Sequence, residues 1–597
     1  MAVPSDVVKR PGKHAALAAG MILLLHAGLL AFAATQDSPT IDERGHLVGG
    51  ICHWRFGRFD IYRVNPPLMR LIVGAPAAAA GVDVNWRQFD LRPGRRPEFA
   101  LGEQLLNDTP AGYWPVVAGR LLLIPIVLLG GWIVFRWASE LFGRASGLTA
   151  LLLWAFSPYV LGHGHLMTPD AGAASLAVTA VYCFLGWVRE PTLRKGLIVG
   201  TVLGAAQLYK MTLLVLYPTF LLLWLLALRR PTQPGAPRRP WRELLQIAMI
   251  FTLSGYALNA GYGFTGTFAR LGSHDFVSEL FTGRPLPDGP QLTAGNRFRG
   301  TWMENWRVPL PKDYLLGIDV QRKDFESGWW SYMGGRWKPG GWWYYYLYAV
   351  ALKVPLGTWL LLLLAIYLTA TRRVKSSGWF EEVAVLLPAL AIFGFVSSQS
   401  GFSHHSRYIL PALPFLFIWA SKAAQSLASR TGIFGWIACA ATGWMVLSSM
   451  FVYPHSLAYF NELAGGPTRG YLYLDNSNID WGQDIWRLEK WADANPQARP
   501  LGVDVFGVMF RDHLAKRYQS VPIGTNTRNA YDDPARPRGP QPGWYALSVN
   551  RLIDRRGWYD YFFQFEPVDR IGYSILVFHL TQDDIDRLAN GGSKAAN

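Results

Sequence analysis

The sequence predicts an α-helical polytopic membrane protein with about eleven spanning helices and a small extracytoplasmic α/β domain at its C-terminal end. Two features of the composition support this fold class. Only 16% of the 597 residues are charged and 51% are hydrophobic, whereas soluble globular chains carry about a quarter charged residues. Mean hydropathy is only +0.13, so polar segments must separate the apolar ones. We predict a transmembrane domain over 1–452 and an extracytoplasmic domain over 453–597.

The apolar runs provide the predicted spans, because a bilayer core about 30 Å thick requires about 20 helical residues. The first run follows Lys9, Arg10 and Lys13 and could be mistaken for a signal peptide. Its apolar part is long, so we favour an uncleaved anchor. The runs lie near 15–34, 114–135, 146–162, 170–188, 196–208, 211–228, 244–262, 342–368, 383–399, 407–421 and 432–452.

The stretch 196–228 could form one long helix or two short helices that meet at Lys210. Charge decides between them, because cytoplasmic loops of membrane proteins carry an excess of Lys and Arg. The basic residues beside successive spans all become cytoplasmic only if 196–228 crosses twice; they include Arg136, Arg189, Arg229 and Arg372. This topology places Lys210, the loops 35–113 and 263–341 and the tail outside.

The formal net charge of +16 raises the question of nucleic acid as a partner. Basic tracts beside apolar runs are explained by anchoring at an anionic leaflet, and no nucleic-acid-binding module is recognised in the sequence. We therefore expect membrane lipids as partners and no nucleic acid.

The outer segments have predictable local structure. In the first loop, 54–59 and 66–76 are predicted as two short amphipathic helices lying on the membrane. In the tail, the alternating runs 500–510 and 543–549 predict strands, and 485–494 predicts a helix.

Two adjacent carboxylates, Asp42 and Glu43, follow the first predicted span. A carboxylate at the mouth of an intramembrane cavity can be partly desolvated, which raises its proton affinity and suits a general base. The alternative is a helix start in which Thr40 and Glu43 form a capping box. Both interpretations can hold, because a cap fixes where the neighbouring acid points.

Two further outer segments are candidates for the same site. Pro66 and Pro67 exclude helix at Asn65, so this segment is either a rigid turn or a means of bringing Arg63 or Asn65 to the cavity. Asp170 begins the fourth span, where an acid is unfavourable unless it is used or paired. Its alternative role is to cap that helix.

Cationic and polar side chains occur on the same predicted side. Lys210 lies between two apolar runs, and His404, His405, Arg407 and Tyr408 precede the tenth span. Their ammonium, imidazole and guanidinium groups could hold a phosphate, or they could extend toward lipid headgroups. Two adjacent histidines also permit a divalent cation, but we see no third ligand and predict no metal site.

These motifs, taken in order, resemble the protein O-mannosyltransferase family (glycosyltransferase family 39) of C-type, or GT-C, membrane glycosyltransferases, which use lipid-phosphate sugars. The first outer loop carries the resemblance through Asp42, Glu43 and His46 followed by the run 65–68. The resemblance covers roughly 15–422, and two tail segments, 459–462 and 480–484, resemble a tail of bacterial relatives. Its further motifs are Arg120, Thr168-Pro169-Asp170, Lys210-Met211-Thr212, Trp343-Tyr344-Tyr345-Tyr346, Lys353-Val354-Pro355-Leu356 and Arg407-Tyr408-Ile409-Leu410-Pro411.

The resemblance implies roles for individual residues. It implies that Asp42 is the catalytic base beside Glu43, that Asp170 is a second acidic site residue, and that Lys210, His404 and Arg407 hold the donor phosphate. The family usually has His where this chain has Asn65, and the sugar-binding-like lumenal modules of its eukaryotic members are absent from the sequence.

We therefore expect a multi-pass enzyme of a bacterial inner membrane. It would move a hexose or pentose from a polyprenyl phosphate to an acceptor hydroxyl of a protein, glycan or lipid on the extracytoplasmic face, by an inverting displacement. A flippase or transporter, which should show internal repeats and mid-span charges, and a transferase using a diphosphate-linked donor are the alternatives. Expected substrate-binding residues are His46, Arg63, Asn65, Lys210, His404, His405, Arg407 and Tyr408.

Overall fold

The computed structural model describes residues 12–90, 92–108, 113–230, 239–285, 294–375, 377–399, 401–428, 432–507, 511–525 and 536–590. Lys9 and Arg10 of the predicted anchor, and the end of the predicted strand run at 508–510, lie outside this set.

Long apolar helices dominate the first three quarters of the chain and confirm the polytopic α-helical fold. Within the described residues, six helices are long and apolar enough to cross a bilayer alone. Two bent helix pairs pass the same test together, and each is either a broken span or a re-entrant loop: Arg144–Ala155 with Pro158–Gly164 at 52°, and Tyr345–Lys353 with Leu356–Ala370 at 106°. The six are Lys13–Gln36, Trp114–Phe142, Pro169–Arg189, Pro240–Gly261, Trp379–Ser397 and Gly432–Val452.

The remaining three of the predicted spans are helices too short to cross a bilayer unaided. They are Leu193–Gln207, the 3₁₀ turn Met211–Val215 continued by Leu216–Ala227, and the 3₁₀ turn Ser406–Ala412 continued by Leu413–Ala420. These elements end or begin next to Lys210 and Arg407. The count of eleven crossings therefore stays a prediction.

The first outer loop is helical, but one of its predicted helices was wrong. Residues 54–56 form the last turn of a longer helix, Ile41–Phe56, which ends at Gly57 with a left-handed φ of 61°. The second predicted helix spans Leu68–Ala79. The two helices cross closely, because a Cβ on Gly50 would lie 2.3 Å from the carbonyl oxygen of Arg70. The loop also contains the 3₁₀ turn Trp86–Gln88 and the helix Pro97–Asp108.

The second outer loop packs one longer helix, Lys312–Glu326, against the first loop. Gly317 makes this contact possible, because a Cβ there would lie 2.2 Å from the carbonyl oxygen of Arg63. An antiparallel hairpin of strands Trp330–Met333 and Arg336–Pro339 follows. The short elements Leu271–Ser273 and Glu279–Thr282 precede it.

The tail contains the predicted small α/β unit. Its sheet has the strand order Leu501–Asp504, Gly543–Ser548, Ile575–Leu580 and Asp569–Ile571, with the first pair parallel and the others antiparallel. The predicted helix Ile485–Ala494 is present. The tail has three more short helices, Arg511–Arg517, Val549–Leu552 and Gln582–Ala589. Its 3₁₀ turns are Ser456–Ala458, Glu462–Ala464, Pro467–Leu472, Asn476–Asn478, Pro496–Ala498 and Asp560–Gln564. Before the last span lie the 3₁₀ turn Ser421–Ala424 and the helix Gln425–Ala428.

Candidate active site

Residues far apart in the sequence converge on one ion-pair chain. Arg407 donates from Nη2 to Oδ2 of Asp42 at 2.8 Å, and its Nε lies 3.4 Å from Oδ2 of Asp170. Lys210 donates from Nζ to Oδ1 of Asp170 at 2.5 Å. Two acids and two cations therefore share one site.

Local structure explains how each charge reaches the site. Asp42 lies in the first turn of the helix that begins after Thr40, and the predicted Thr40–Glu43 capping box is present. Asp170 lies in the first turn of Pro169–Arg189, where proline is favoured. The side chain of Tyr209 occupies the space left by Gly172, since a Cβ there would lie 2.2 Å from the tyrosine Oη. This packing holds Lys210 beside Asp170.

The two acids differ in their access to a ligand. The Asp170 side chain is 1% exposed and contacts both cations, whereas the Asp42 side chain is 22% exposed. Asp42 is therefore the more accessible of the two carboxylates. Arg407 is buried, and its Nη1 has no hydrogen-bond partner.

A polar cavity opens beside this ion-pair chain. Its lining includes Arg96 and Asp324, whose closest charged atoms are 3.4 Å apart. Burial raises the pKa of Asp324, and Arg96 opposes that shift. The polar lining consists of Asp42, His46, Tyr62, Asn65, Arg96, Asp170, Lys210, Gln321, Asp324, His405, Arg407 and Tyr408.

The pKa values of the two cavity histidines, His46 and His405, are lowered, which favours their neutral forms. Burial, followed by the nearby Arg70, holds the pKa of His46 well below its ordinary value. Burial and Arg407 do the same to the pKa of His405. Positive charge in the cavity is therefore supplied by arginine and lysine side chains.

An apolar groove adjoins the polar cavity. Met211, Leu214, Ile318, Phe395 and Val396 form most of its apolar wall. Gln321, Phe325 and Tyr408 line both the groove and the cavity. The Tyr408 ring also lies 4.8 Å from Lys210 Nζ, so the junction is directly beside the buried ammonium.

Three of the predicted site residues do not line this cavity. Glu43 is fully buried and accepts from Arg120 at 2.6 and 2.8 Å and from the Met167 backbone N–H at 2.8 Å. Arg63 donates to Asp313 at 2.8 Å, and the His404 ring contacts the Trp330 carbonyl oxygen at 2.6 Å. The structure gives each of these side chains a partner within the fold.

Several side chains of the cavity and its surroundings were not predicted. Tyr62, Arg96, Gln321 and Asp324 line the cavity, and the Trp481 ring lies 3.9 Å from the Arg407 guanidinium. Only Trp481 carried a sequence signal, because it falls in the tail motif 480–484. The others come from two outer loops whose approach no local pattern reveals.

A divalent cation has no evident ligand set here. Among the described residues, no group of three or more His, Cys, Asp or Glu side chains is placed to hold a metal ion. His405 contacts the Ser477 hydroxyl at 2.7 Å, whereas His404 turns to a backbone carbonyl.

The fold and site define a polytopic membrane protein with a charged cavity that opens onto an apolar groove. Residues 113–254 match the family model described as dolichyl-phosphate-mannose-protein mannosyltransferase. This stretch includes Arg120, Asp170 and Lys210, and the match confirms the resemblance seen in the ordered motifs.

Solved structures of ArnT from Cupriavidus metallidurans are also similar. The form bound to undecaprenyl phosphate is 14% identical, with a TM-score of 0.39 over 94% of this chain and 97% of that chain. The apo form is 14% identical, with a TM-score of 0.41 over 95% and 98%. No curated protein sequence matches this chain.

Proposed function

We propose that this protein is an integral-membrane glycosyltransferase of the GT-C type that transfers a sugar from a polyprenyl phosphate to an acceptor hydroxyl. The observation that carries the proposal is the junction of the apolar groove with the charged cavity at Gln321, Phe325 and Tyr408. One ligand with an apolar chain and an anionic, sugar-bearing head fits both compartments.

The cations suit the leaving group of such a donor. A sugar linked to a lipid phosphate is a phosphodiester with one negative charge, and departure of the sugar leaves a phosphomonoester with a second, developing charge. Lys210 and Arg407 would therefore stabilise the transition state more than the bound substrate, which is the condition for catalysis. Loss of one such donor typically lowers kcat by about 10²–10³-fold.

Asp42 is the proposed general base. The acceptor oxygen attacks the anomeric carbon, the bond from that carbon to the phosphate oxygen breaks, and Asp42 takes the hydroxyl proton. A single displacement of this kind inverts the anomeric configuration and requires no covalent enzyme intermediate. In the absence of donor, Arg407 neutralises Asp42. A phosphate that draws Arg407 toward itself would weaken this pairing and leave the Asp42 carboxylate free to bond to the acceptor hydroxyl.

We propose that the reaction occurs on the extracytoplasmic face of a bacterial inner membrane. The proposal rests on the positive-inside rule, since the basic residues flanking the helices assign the opposite leaflet to the cytoplasm. The acceptor would be a protein, glycan or lipid that approaches the cavity from water. Labelling of single cysteines placed beside the site in oriented vesicles tests this orientation.

The test of the function uses purified protein in liposomes, radiolabelled polyprenyl-phosphate hexoses or pentoses, and a membrane extract that supplies acceptors. We expect label to move to a new species. Asp42→Asn should slow this transfer by about 10²–10⁴-fold. Asp83→Asn is the matched control, because Asp83 lies in the same outer loop and is largely exposed.

Two outcomes would contradict the proposal. Transfer at the wild-type rate in Asp42→Asn would remove this carboxylate from the mechanism. Label that only changes leaflet, without appearing in a new species, would identify a flippase instead.

A further inference from the structure

One segment of the tail reaches the ion-pair chain of the cavity. Residues 478–483, which we call the tail clamp, lie before the helix Ile485–Ala494. Trp481 of the clamp is 1% exposed, and its ring centre lies 3.9 Å from the guanidinium carbon of Arg407. This distance is well within the range of a cation–π interaction.

Two nitrogens of the Arg407 guanidinium, Nε and Nη1, make no hydrogen bond. Nη2 bonds to Asp42, Nε lies beside Asp170, and the Trp481 ring lies against the group. Nη1 has no hydrogen-bond partner although the side chain is buried. Because a guanidinium is planar, fixing its plane and two of its nitrogens also fixes the direction of the third.

The tail clamp holds the residues before Asp42. Ser38 donates from its backbone N–H to the Gln483 carbonyl oxygen at 2.9 Å and from its hydroxyl to the Gly482 carbonyl oxygen at 2.8 Å. The backbone N–H of Ile41 donates to the Trp481 carbonyl oxygen at 3.3 Å. The start of the helix that carries Asp42 is therefore tied to the same loop as Trp481.

The tail clamp also holds the residues before Arg407. The Asn478 amide donates to the Tyr345 hydroxyl at 2.9 Å and to the His404 carbonyl oxygen at 3.0 Å. Its Oδ1 accepts from the Ser406 backbone N–H at 3.0 Å. One loop therefore fixes both the acid-bearing and the cation-bearing segments of the site.

We propose that Trp481 is a positioning residue that aims Arg407 Nη1 at the donor phosphate, and that the tail is in this way a structural part of the active site. The inference rests on the proposed function. Trp481 is not assigned a contact with substrate. Trp481 acts by orienting Arg407, so substituting Trp481 should lower kcat only in a protein that retains Arg407.

The experiment is a double-mutant cycle of Trp481→Leu and Arg407→Gln in the full-length protein, reconstituted with a radiolabelled polyprenyl-phosphate sugar. We expect Trp481→Leu to lower kcat on the order of 10-fold in the wild-type background. In the Arg407→Gln background the same substitution should change kcat less than about 2-fold, because coupled residues are not additive.

Conservative and matched variants separate positioning from folding. Trp481→Phe keeps a ring over the guanidinium and should retain most of the activity that Trp481→Leu loses. Trp491→Leu is the control, because Trp491 lies in the same tail but bonds to Asp569, outside the cavity. It should leave transfer unchanged. If Trp481→Leu fails to fold, the cycle is made with Trp481→Phe, whose smaller loss should likewise disappear in Arg407→Gln.

The possible failures are distinguishable. Equal losses from the Trp481 substitution in both backgrounds would overturn the positioning role and leave only a structural one. Wild-type transfer by Arg407→Gln would instead contradict the proposed function of the cation, whatever Trp481 does. A wild-type kcat for Trp481→Leu would overturn the inference while leaving the proposed function standing.

Discussion

Two neighbouring acids, Glu43 and Asp42, each pair with an arginine, and the two pairs differ in their burial and in their hydrogen bonding. In the first pair, Glu43 and Arg120 are both fully buried, and six further hydrogen bonds satisfy them within the fold. Arg120 donates to the backbone carbonyl oxygens of Ala34, Asp37 and Ser38. Glu43 accepts from the backbone N–H of Met167 and from the backbone N–H and hydroxyl of Thr40. In the second pair, Asp42 is partly exposed and Arg407 keeps an unbonded nitrogen beside a cavity. A satisfied, sealed pair serves the fold, whereas an open pair with spare bonding capacity is available to a ligand.

A substitution in the sealed pair, Glu43 and Arg120, should give the largest change in stability. Glu43→Gln should lower the free energy of unfolding by about 3–5 kcal/mol, because it leaves Arg120 buried without a counter-charge. Thermal unfolding in detergent would measure this loss, with the exposed Asp83→Asn as control. Asp42→Asn should unfold close to the wild-type temperature.

A stable but inactive Glu43→Gln variant would contradict the assignment of the Glu43–Arg120 pair to the fold alone. A Glu43→Gln protein with wild-type stability and no transfer would make Glu43, rather than Asp42 alone, a participant in the chemistry. The resemblance to the mannosyltransferase family leaves room for this, since it implies only that Glu43 is the immediate neighbour of the base.

The Asp42–Arg407 pair can act on a donor only if the donor phosphate is bound beside it. Binding of the lipid chain in the apolar groove would place the phosphate there, and substitutions in the groove test this. Ile318→Ala removes apolar contact in the groove, and each buried CH₂ contributes about 0.8 kcal/mol. We expect KM for a long-chain polyprenyl-phosphate donor to rise about 10-fold. KM for a short-chain donor that cannot fill the groove should change little.

Val320→Ala is the matched control for the groove. Val320 lies on the same helix, Lys312–Glu326, but does not line the groove. Equal changes in KM for long and short chains would show that Ile318 acts on the helix rather than on the lipid. This result would contradict the proposal that the groove binds the lipid chain of the donor.

Local signals predicted the parts of the site that depend on local structure. The Thr40–Glu43 capping box was correctly foreseen, and so was the meeting of Asp42, Asp170, Lys210 and Arg407 at one site. These charges stand beside apolar runs, where an isolated charge is costly and a partner is expected.

The remaining parts depend on contacts between distant segments. Arg96 and Asp324 come from different outer loops and lie 3.4 Å apart in the cavity lining, and no local sequence pattern predicts this contact. The helix predicted at 54–59 was wrong because Trp54 and Phe56 belong to the last turn of the helix Ile41–Phe56, which Gly57 ends. The direction of Glu43 was likewise open, since a capping box fits both a site residue and a structural one.

Two buried acids that form no ion pair among the described residues, Asp475 and Asp480, extend the comparison to a third case. Burial raises the pKa of Asp475 to about 8 and that of Asp480 to about 7. Hydrogen bonds from the Gly482 backbone and Ser548 oppose the shift at Asp480, Asp484 adds to it, and Arg551 weakly opposes it. Both carboxyl groups therefore stay protonated in the folded state at pH values where the unfolded chain has lost those protons.

The sign of the resulting pH dependence follows from this difference in bound protons. Between the ordinary Asp pKa near 4 and the folded values of about 7 and 8, the native state binds more protons, so stability falls as pH rises. Each group contributes up to about 1.4 kcal/mol per pH unit in its window. Unfolding temperatures measured from pH 5 to 9 should decline toward pH 8, and Asp475→Asn should flatten the upper part of that decline. The contrary result is a wild-type stability that rises from pH 5 to 8, with the same profile in Asp475→Asn. It would show that these two acids are charged in the folded state although no cation pairs with them.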